Sequence, residues 1–339
     1  MNQFFSDIIR QPDYLYQLAQ FYHSPKGCEI LHSLPQPSDL IITGMGASYH
    51  AALALTPMLH SQHISAIALE SIDLINYSLD GLVDKSLIVF VSQSGASGEV
   101  LPVTQSSMNL IAVTNEEQSL LAQKAQWILP IKAGQNEAGV ASRTYINTLA
   151  TLWLLNRHWT GLWDNTEFEQ INFLADSVAS IIQQANLHID QWTTHFQDVS
   201  TMIFVGHGPH AATAREASMM MAEWAKKPTL SYGIGAFRHG PIEIVEPGCG
   251  LVIFTSPGIA HQSSLNLAKE LENYGAKVLI VENGIAGSAS KPPKNVPQVD
   301  EYLASILNVI PAQLFTQAIA SQSQVTTAFR YITKVTTNL

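Results

Sequence analysis

Two stretches carry the residue types that could do chemistry: Ser92-Gln93-Ser94-Gly95, and the span from Glu216 to His239. The first follows Leu87-Ile88-Val89-Phe90-Val91, an apolar run that reads as a buried parallel strand. A strand that opens into hydroxyls and backbone N–H groups, at the carboxyl edge of an α/β sheet, offers the donors a phosphate monoester needs. Ser48, at the tip of an earlier strand, and Ser97, just beyond this one, would complete a cup of four hydroxyls. A polar βα loop without a ligand is the alternative reading of Ser92–Ser97 taken alone.

The second stretch places two carboxylates and an imidazole between a glycine turn and a Gly-Pro turn. Glu216 and Glu223 stand seven residues apart on a predicted helix and share a face. Met219, Met220, Met221, Ala222 and Trp224 make their setting apolar, which disfavours a charged carboxylate and raises its pKa toward that of a general base. A solvated face is the alternative, because Arg215, Lys226 and Lys227 are close enough in sequence to pair. His239, in Phe237-Arg238-His239-Gly240-Pro241, reads as fixed in a rigid turn, where an imidazole could open a sugar ring. The plain alternative is a surface histidine, one of twelve.

These residues must be positioned by a repeating scaffold. Short apolar strands are predicted at 40–43, 64–69, 87–91, 110–114 and 127–131, then again at 202–205, 251–254 and 278–281. Helices are predicted at 49–59, 142–158, 167–196, 210–226 and 261–274. Asn115, followed by Glu116 and Glu117, is read as a helix cap, and Ser142 as another. Residues 3–34 read as a helical layer ended by Pro25 and Gly27. Alternating β and α with apolar strands implies α/β architecture, parallel sheets covered on both faces, in two blocks. The boundaries are 1–35 for the helical segment, 36–165 and 197–325 for the blocks, 166–196 for a linking helix, and 326–339 for the tail.

Gly44-x-Gly46 with Glu70, and Gly206-x-Gly208, imitate a dinucleotide fingerprint, but tight βα turns need glycine whatever they bind. A pyrophosphate rests on a bare helix N-terminus and has no use for a Ser-Gln-Ser tip, so a nicotinamide site is the lesser reading. His60-x-x-His63 is the closest approach to metal-ligand spacing and has no third partner. Net charge is −10 with no basic run, which argues against nucleic acid and anionic membranes as partners. No uninterrupted apolar stretch reaches the ~18–20 residues of a membrane span. Two distant cysteines and no signal-peptide pattern fit a reducing, cytoplasmic setting. With 46% hydrophobic and 13% charged residues, the chain is expected to bury a large subunit interface.

Taken in order, Gly44-x-Gly46-x-Ser48, Ser92 to Ser97, Glu137-x-Gly139-Val140-x-Ser142, Glu216 with Glu223, His239-Gly240-Pro241 and Arg330 with Lys334 resemble the SIS (sugar isomerase) family, above all the isomerase half of glucosamine-6-phosphate synthase. The resemblance implies two doubly wound, flavodoxin-like parallel sheets in three-layer αβα subdomains, and a homodimer with shared sites. It implies that Ser92, Gln93, Ser94 and Ser97 hold the phosphate with Ser48 nearby, and that Val140 and Ser142 contact the sugar. Glu223 would carry a proton between C1 and C2. His239, from the partner subunit, would open the ring, and Lys334 would sit near the carbonyl. No cofactor or metal is implied. Met220 stands where the synthase has a lysine, Ala47 where it has a threonine, and an acidic-Pro pattern is missing before Arg330. The glutaminase nucleophile has no counterpart in this sequence, so the expected activity is deamination of glucosamine 6-phosphate to fructose 6-phosphate and ammonia. A different phosphosugar isomerase, a fructosamine-6-phosphate deglycase, and a non-catalytic sugar-phosphate sensor are the alternatives.

Overall fold

The computed structural model describes residues 2–37, 39–78, 86–105, 109–164, 166–323 and 329–332. From the N-terminus come helices α1 (Gln3–Ile9), α2 (Gln11–His23) and α3 (Pro25–His32). Next are β1 (Leu40–Gly44), α4 (Ala47–Ser61), β2 (Ala66–Glu70), α5 (Ser71–Asp73), β3 (Leu87–Val91), α6 (Val100–Thr104), β4 (Asn109–Thr114), α7 (Leu120–Lys124), β5 (Trp127–Pro130) and α8 (Arg143–Trp159). After α9 (Glu167–His195) the pattern restarts with β6 (Thr201–Gly206), α10 (Pro209–Glu223), β7 (Leu230–Gly233) and α11 (Ile234–Arg238). It closes with β8 (Cys249–Thr255), α12 (His261–Asn273), β9 (Lys277–Glu282), β10 (Ile285–Gly287) and α13 (Glu301–Gln322).

Two compact units result. The first gathers Arg10–Ala175 with the segment that begins at Phe329; the second gathers α1 with the chain from Asp176 through α13. The boundary passes through α9, and α1 joins the second unit, where Phe4 packs on Trp224 with ring centroids 5.0 Å apart. In the first unit five parallel strands run in the order β2-β1-β3-β4-β5. In the second the order is β10-β9-β8-β6-β7, parallel except that β10 opposes β9.

The central strands are apolar on both faces because helices cover both. All five residues of β1, all five of β3 and all seven of β8 are buried. Each buried Ile, Leu, Val or Phe there contributes about 1.5–3 kcal/mol of transfer free energy.

The structure corrects two readings of the sequence. Pro25 does not end the helical layer: it occupies the first turn of α3, where its missing N–H is harmless, and Ser24 Oγ accepts the Gly27 N–H at 3.3 Å. Asn115 starts no helix. The helix begins later, capped by Ser119, whose Oγ accepts the Ala122 N–H. Helix α13 is long and apolar enough to cross a membrane by length and composition, but 83% of that window is buried.

Candidate functional site

In the first sheet the strand order reverses between β1 and β3, and in such sheets the crevice outside the carboxyl ends at that point is where ligands bind. Glycine chemistry brings the hydroxyls there. A Cβ on Gly44 would lie 2.7 Å from Ser48 Cβ and 2.8 Å from the Val91 carbonyl oxygen, so only glycine lets α4 start directly above the strand ends. Gly46 precedes α4 at φ 53° and ψ −125°, a conformation that glycine alone adopts readily.

Beyond β3, Ser92 Oγ accepts the Gly95 N–H at 3.2 Å and Ser94 Oγ accepts the Ala96 N–H at 3.3 Å. A hydroxyl that accepts from its own loop keeps its proton to donate outward, which is the polarity an anion requires. Ser97 differs: its Oγ donates to the buried Glu99 carboxylate at 2.8 Å. The Gln93 carbonyl receives the Asn115 N–H and the Thr114 hydroxyl, which pins the loop. Gly95 is at φ 56°, and a Cβ there would strike Ser119 Oγ at 2.1 Å. The loop after β3 is therefore held in shape by its own hydroxyls, by Thr114 and Asn115, and by Gly95.

The same edge carries the turn into α8. Ser142 sits at the cap position, yet its side chain caps nothing. Its hydroxyl donates to Glu137 Oε1 at 3.0 Å. Glu137 takes over the capping role, accepting the Ser142 N–H at 3.0 Å, the Thr144 N–H at 2.9 Å and the Thr144 hydroxyl at 2.5 Å. Val140 and Ser142 are both 0% exposed, backbone and side chain alike, so neither reaches a ligand in this conformation; on this turn Gly139 is exposed and Ala141 half-buried. The sequence reads Glu137 as exposed toward the cleft; the structure instead buries it, at 8% exposure, with its oxygens turned to Ser142 and Thr144.

Glu223, His239 and Glu216 belong to the second unit. Glu216 is fully buried in α10, and Glu223 is the last residue of that helix. Burial pushes the Glu223 carboxyl up to about 7, the negative charge of Glu216 adds to the rise, and Lys226 opposes it. Lys226 Nζ donates to the Glu223 main-chain oxygen. Met220, Met221 and Trp224 are buried around it, and Trp224 is fixed by donating Nε1–H to Gln317 Oε1 at 2.8 Å. His239 is exposed and caps the C-terminus of α11, its N–H bonded to the Ala236 oxygen. It stands in a turn, as the sequence reads it, followed by Gly240 at φ 146°. Lys334 lies outside the described residues.

Both sheets match the SIS domain family, over residues 33–156 and 195–320. The chain belongs to that family. Glutamine–fructose-6-phosphate aminotransferase (isomerizing) of Methanothermobacter thermautotrophicus is 24% identical over 84% of this chain and 49% of its own length. The enzyme of that name from Zymomonas mobilis is 25% identical over 93% of this chain and 55% of its length. The chain thus spans about half the length of these relatives, and the homology is to their isomerase portion. Among solved structures, glucosamine-6-phosphate deaminase of Thermotoga maritima superposes with a TM-score of 0.80 at 21% identity, covering 99% of both chains. Tagatose-6-phosphate ketose/aldose isomerase of Escherichia coli gives 0.76 at 17% identity, over 95% of this chain and 94% of that one. These two likenesses establish the fold.

Proposed function

We propose that this SIS-family chain is a phosphosugar isomerase acting on an amino sugar, converting glucosamine 6-phosphate and water to fructose 6-phosphate and ammonia. The observation that carries the reading is Glu223: a carboxyl held at about 7 is half ionised at neutral pH, so it can both accept and return a proton. The hydroxyls of Ser92 and Ser94, free to donate, suit the phosphate, with Ser48, Gln93 and Ser97 around them. The names of the T. maritima and E. coli proteins, both sugar-phosphate enzymes, support the substrate class.

In this reading His239 opens the ring and exposes the C1 aldehyde. Glu223 removes the C2 proton, giving an enolamine, and returns it to C1. That leaves a C1 hydroxymethyl group and an imine at C2. Water adds to the imine carbon and ammonia leaves, giving the ketose. Every step is proton transfer or hydration, so the proposal includes no metal and no organic cofactor. Lys334 is assigned to the carbonyl, and the turn that carries buried Val140 and Ser142 to the sugar through its accessible neighbours Gly139 and Ala141. Exposed His239 serves the site of a second copy in a homodimer.

The test is a panel of hexose and hexosamine 6-phosphates with ammonia and ketose measured together. Ammonia and fructose 6-phosphate from glucosamine 6-phosphate support the proposal. Aldose–ketose interconversion without ammonia leaves an isomerase of neutral sugars. Binding without turnover leaves a sensor.

A further inference from the structure

Residues 131–142 join β5 to α8 without regular secondary structure, and three of them, Lys132, Gly134 and Asn136, take positive φ. A segment like that holds one shape only if side chains supply the partners its backbone lacks. Its first half is tied from several sides. Asn115 Oδ1 accepts the Ala133 N–H and its Nδ2 donates to the Gly134 oxygen. The buried Arg143 guanidinium, 4.6 Å from the Tyr14 ring centroid, donates to the Ala133 and Gln135 oxygens. Asn147 donates to the Ile131 oxygen at 2.8 Å.

The second half is organised differently. Glu137 is 8% exposed, and its two oxygens gather two backbone N–H groups and two hydroxyls from Ser142 and Thr144. These bonds close residues 137–144 into a ring around one carboxylate, with Ala138–Ala141 as its outer arc. On the arc, Gly139 lies under Phe329 so closely that a Cβ would come within 1.7 Å of the ring. The carboxylate also lies at the N-terminus of a seventeen-residue helix, where the helix dipole favours it. Its four donors turn its charge inward, so a buried anion can stand on the edge that is to hold a phosphate.

We infer that Glu137 is a positioning residue: it preforms the arc Ala138–Ala141 so that its accessible positions, Gly139 and Ala141, meet the sugar without rearrangement. What the arc faces rests on the phosphosugar reading above; that Glu137 sets the arc's shape does not.

The experiment compares Glu137→Ala, Glu137→Gln and Leu149→Ala, the last a fully buried residue of α8 remote from the turn. Hydrogen exchange is followed at residues 138–142, with KM and kcat for glucosamine 6-phosphate and the thermal midpoint of each variant. In Glu137→Ala, exchange of these amides rises about tenfold or more, because opening the arc no longer breaks four bonds. KM rises about tenfold while kcat changes less than about threefold, the pattern of lost preorganised binding. Glu137→Gln restores both, since its amide oxygen accepts and its NH2 donates to the Thr144 hydroxyl. Leu149→Ala lowers the midpoint while leaving the arc's exchange and KM as in the wild type. Unchanged exchange at 138–142 in Glu137→Ala, or an equal KM rise in Leu149→Ala, overturns the inference. A wild-type protein inert toward every phosphosugar overturns the function instead, and the exchange comparison still decides the role of Glu137.

Discussion

The two sheets can be laid on one another strand for strand. Counted from the start of each unit, both run second-first-third-fourth-fifth, and only the last strand of the second unit turns antiparallel. Both open with Gly-x-Gly before a fifteen-residue helix, and the second glycine has almost the same conformation in each: φ 53° and ψ −125° at Gly46, φ 48° and ψ −127° at Gly208. Thr43 pairs with Phe90 and Val205 with Ile253, so the register equates Ser92 with Thr255, Gln93 with Ser256, Ser94 with Pro257, and Ser48 with His210. The backbone is repeated and the chemistry is not. Where the first crevice has hydroxyls ready to donate, the second has a proline without an N–H. His210 Nδ1 accepts from the Asn308 amide and Nε2 donates to Ser256 Oγ at 2.9 Å, so this histidine is a buried, neutral strut. The Glu301 carboxylate reaches over both glycine turns, 3.6 Å from where a Cβ of Gly208 or of Gly258 would be. A doubly wound sheet supplies a place for a ligand; the loop side chains decide whether an anion is welcome.

If, as proposed, Ser92 and Ser94 bind the phosphate and Glu223 moves the proton, the two functions must separate on mutation. The largest effect is expected from Glu223→Gln: kcat falls by about 10²–10⁴ through loss of the general base, while calorimetric affinity for the sugar phosphate stays within about twofold, since no phosphate contact is lost. In the wild type kcat/KM climbs with pH through about 7 as Glu223 ionises. Glu216→Gln, which removes the neighbouring charge, moves that limb to lower pH. Next in size is the cup itself. Ser92→Ala with Ser94→Ala removes two hydrogen bonds to a charged group and weakens binding about a hundredfold, with kcat at saturation little altered. A kcat loss equal to the affinity loss would break the division of labour.

The same comparison predicts opposite pH responses of stability. The His210 imidazole is held at about 3 by burial, below its ordinary 6.5. The unfolded chain then binds a proton the folded one refuses. Stability is full above 6.5 and falls as pH drops, by about 1.4 kcal/mol per pH unit for one proton. Glu223, raised from 4.5 to about 7, works the other way: the folded state keeps a proton the unfolded chain has lost, and stability falls as pH rises through that window. Urea titrations across pH should show His210→Asn flattening the acid side and Glu223→Gln flattening the neutral side.

Much of the scaffold was legible because its signals are local. The buried strands are unbroken apolar runs, the glycine turns are dictated by close approach, and the apolar neighbours of Glu223 foretold its raised pKa. What escaped depends on partners distant in sequence. Helix α13 is apolar on every side and carries Pro311, so it has no stripe to betray it. Strand β7 is four half-buried residues ending in glycine, and β10 is three. Asn115 has a cap's composition, yet it is recruited by residues 133 and 134 across the sheet edge. Ser142 looks like a cap until Glu137 claims its hydroxyl.

The smallest effect is the sharpest test of the likeness between the crevices. Glu301 carries negative charge at the second one, and burial together with Asp300 raises its pKa, so its surroundings already disfavour an anion. Glu301→Gln removes the charge but leaves Pro257 without an N–H and His210 holding the Ser256 oxygen. Phosphate binding followed by equilibrium dialysis is therefore expected to remain at one site per chain in Glu301→Gln. Adding Pro257→Ser supplies the missing N–H and a hydroxyl, and a second, weaker site is expected. Were Glu301→Gln alone enough, charge would be the whole difference between the crevices. Were the double variant still to bind one phosphate, the repeat would extend to the backbone path and no further, and the anion cup would be a property of the Ser92–Ser97 loop alone.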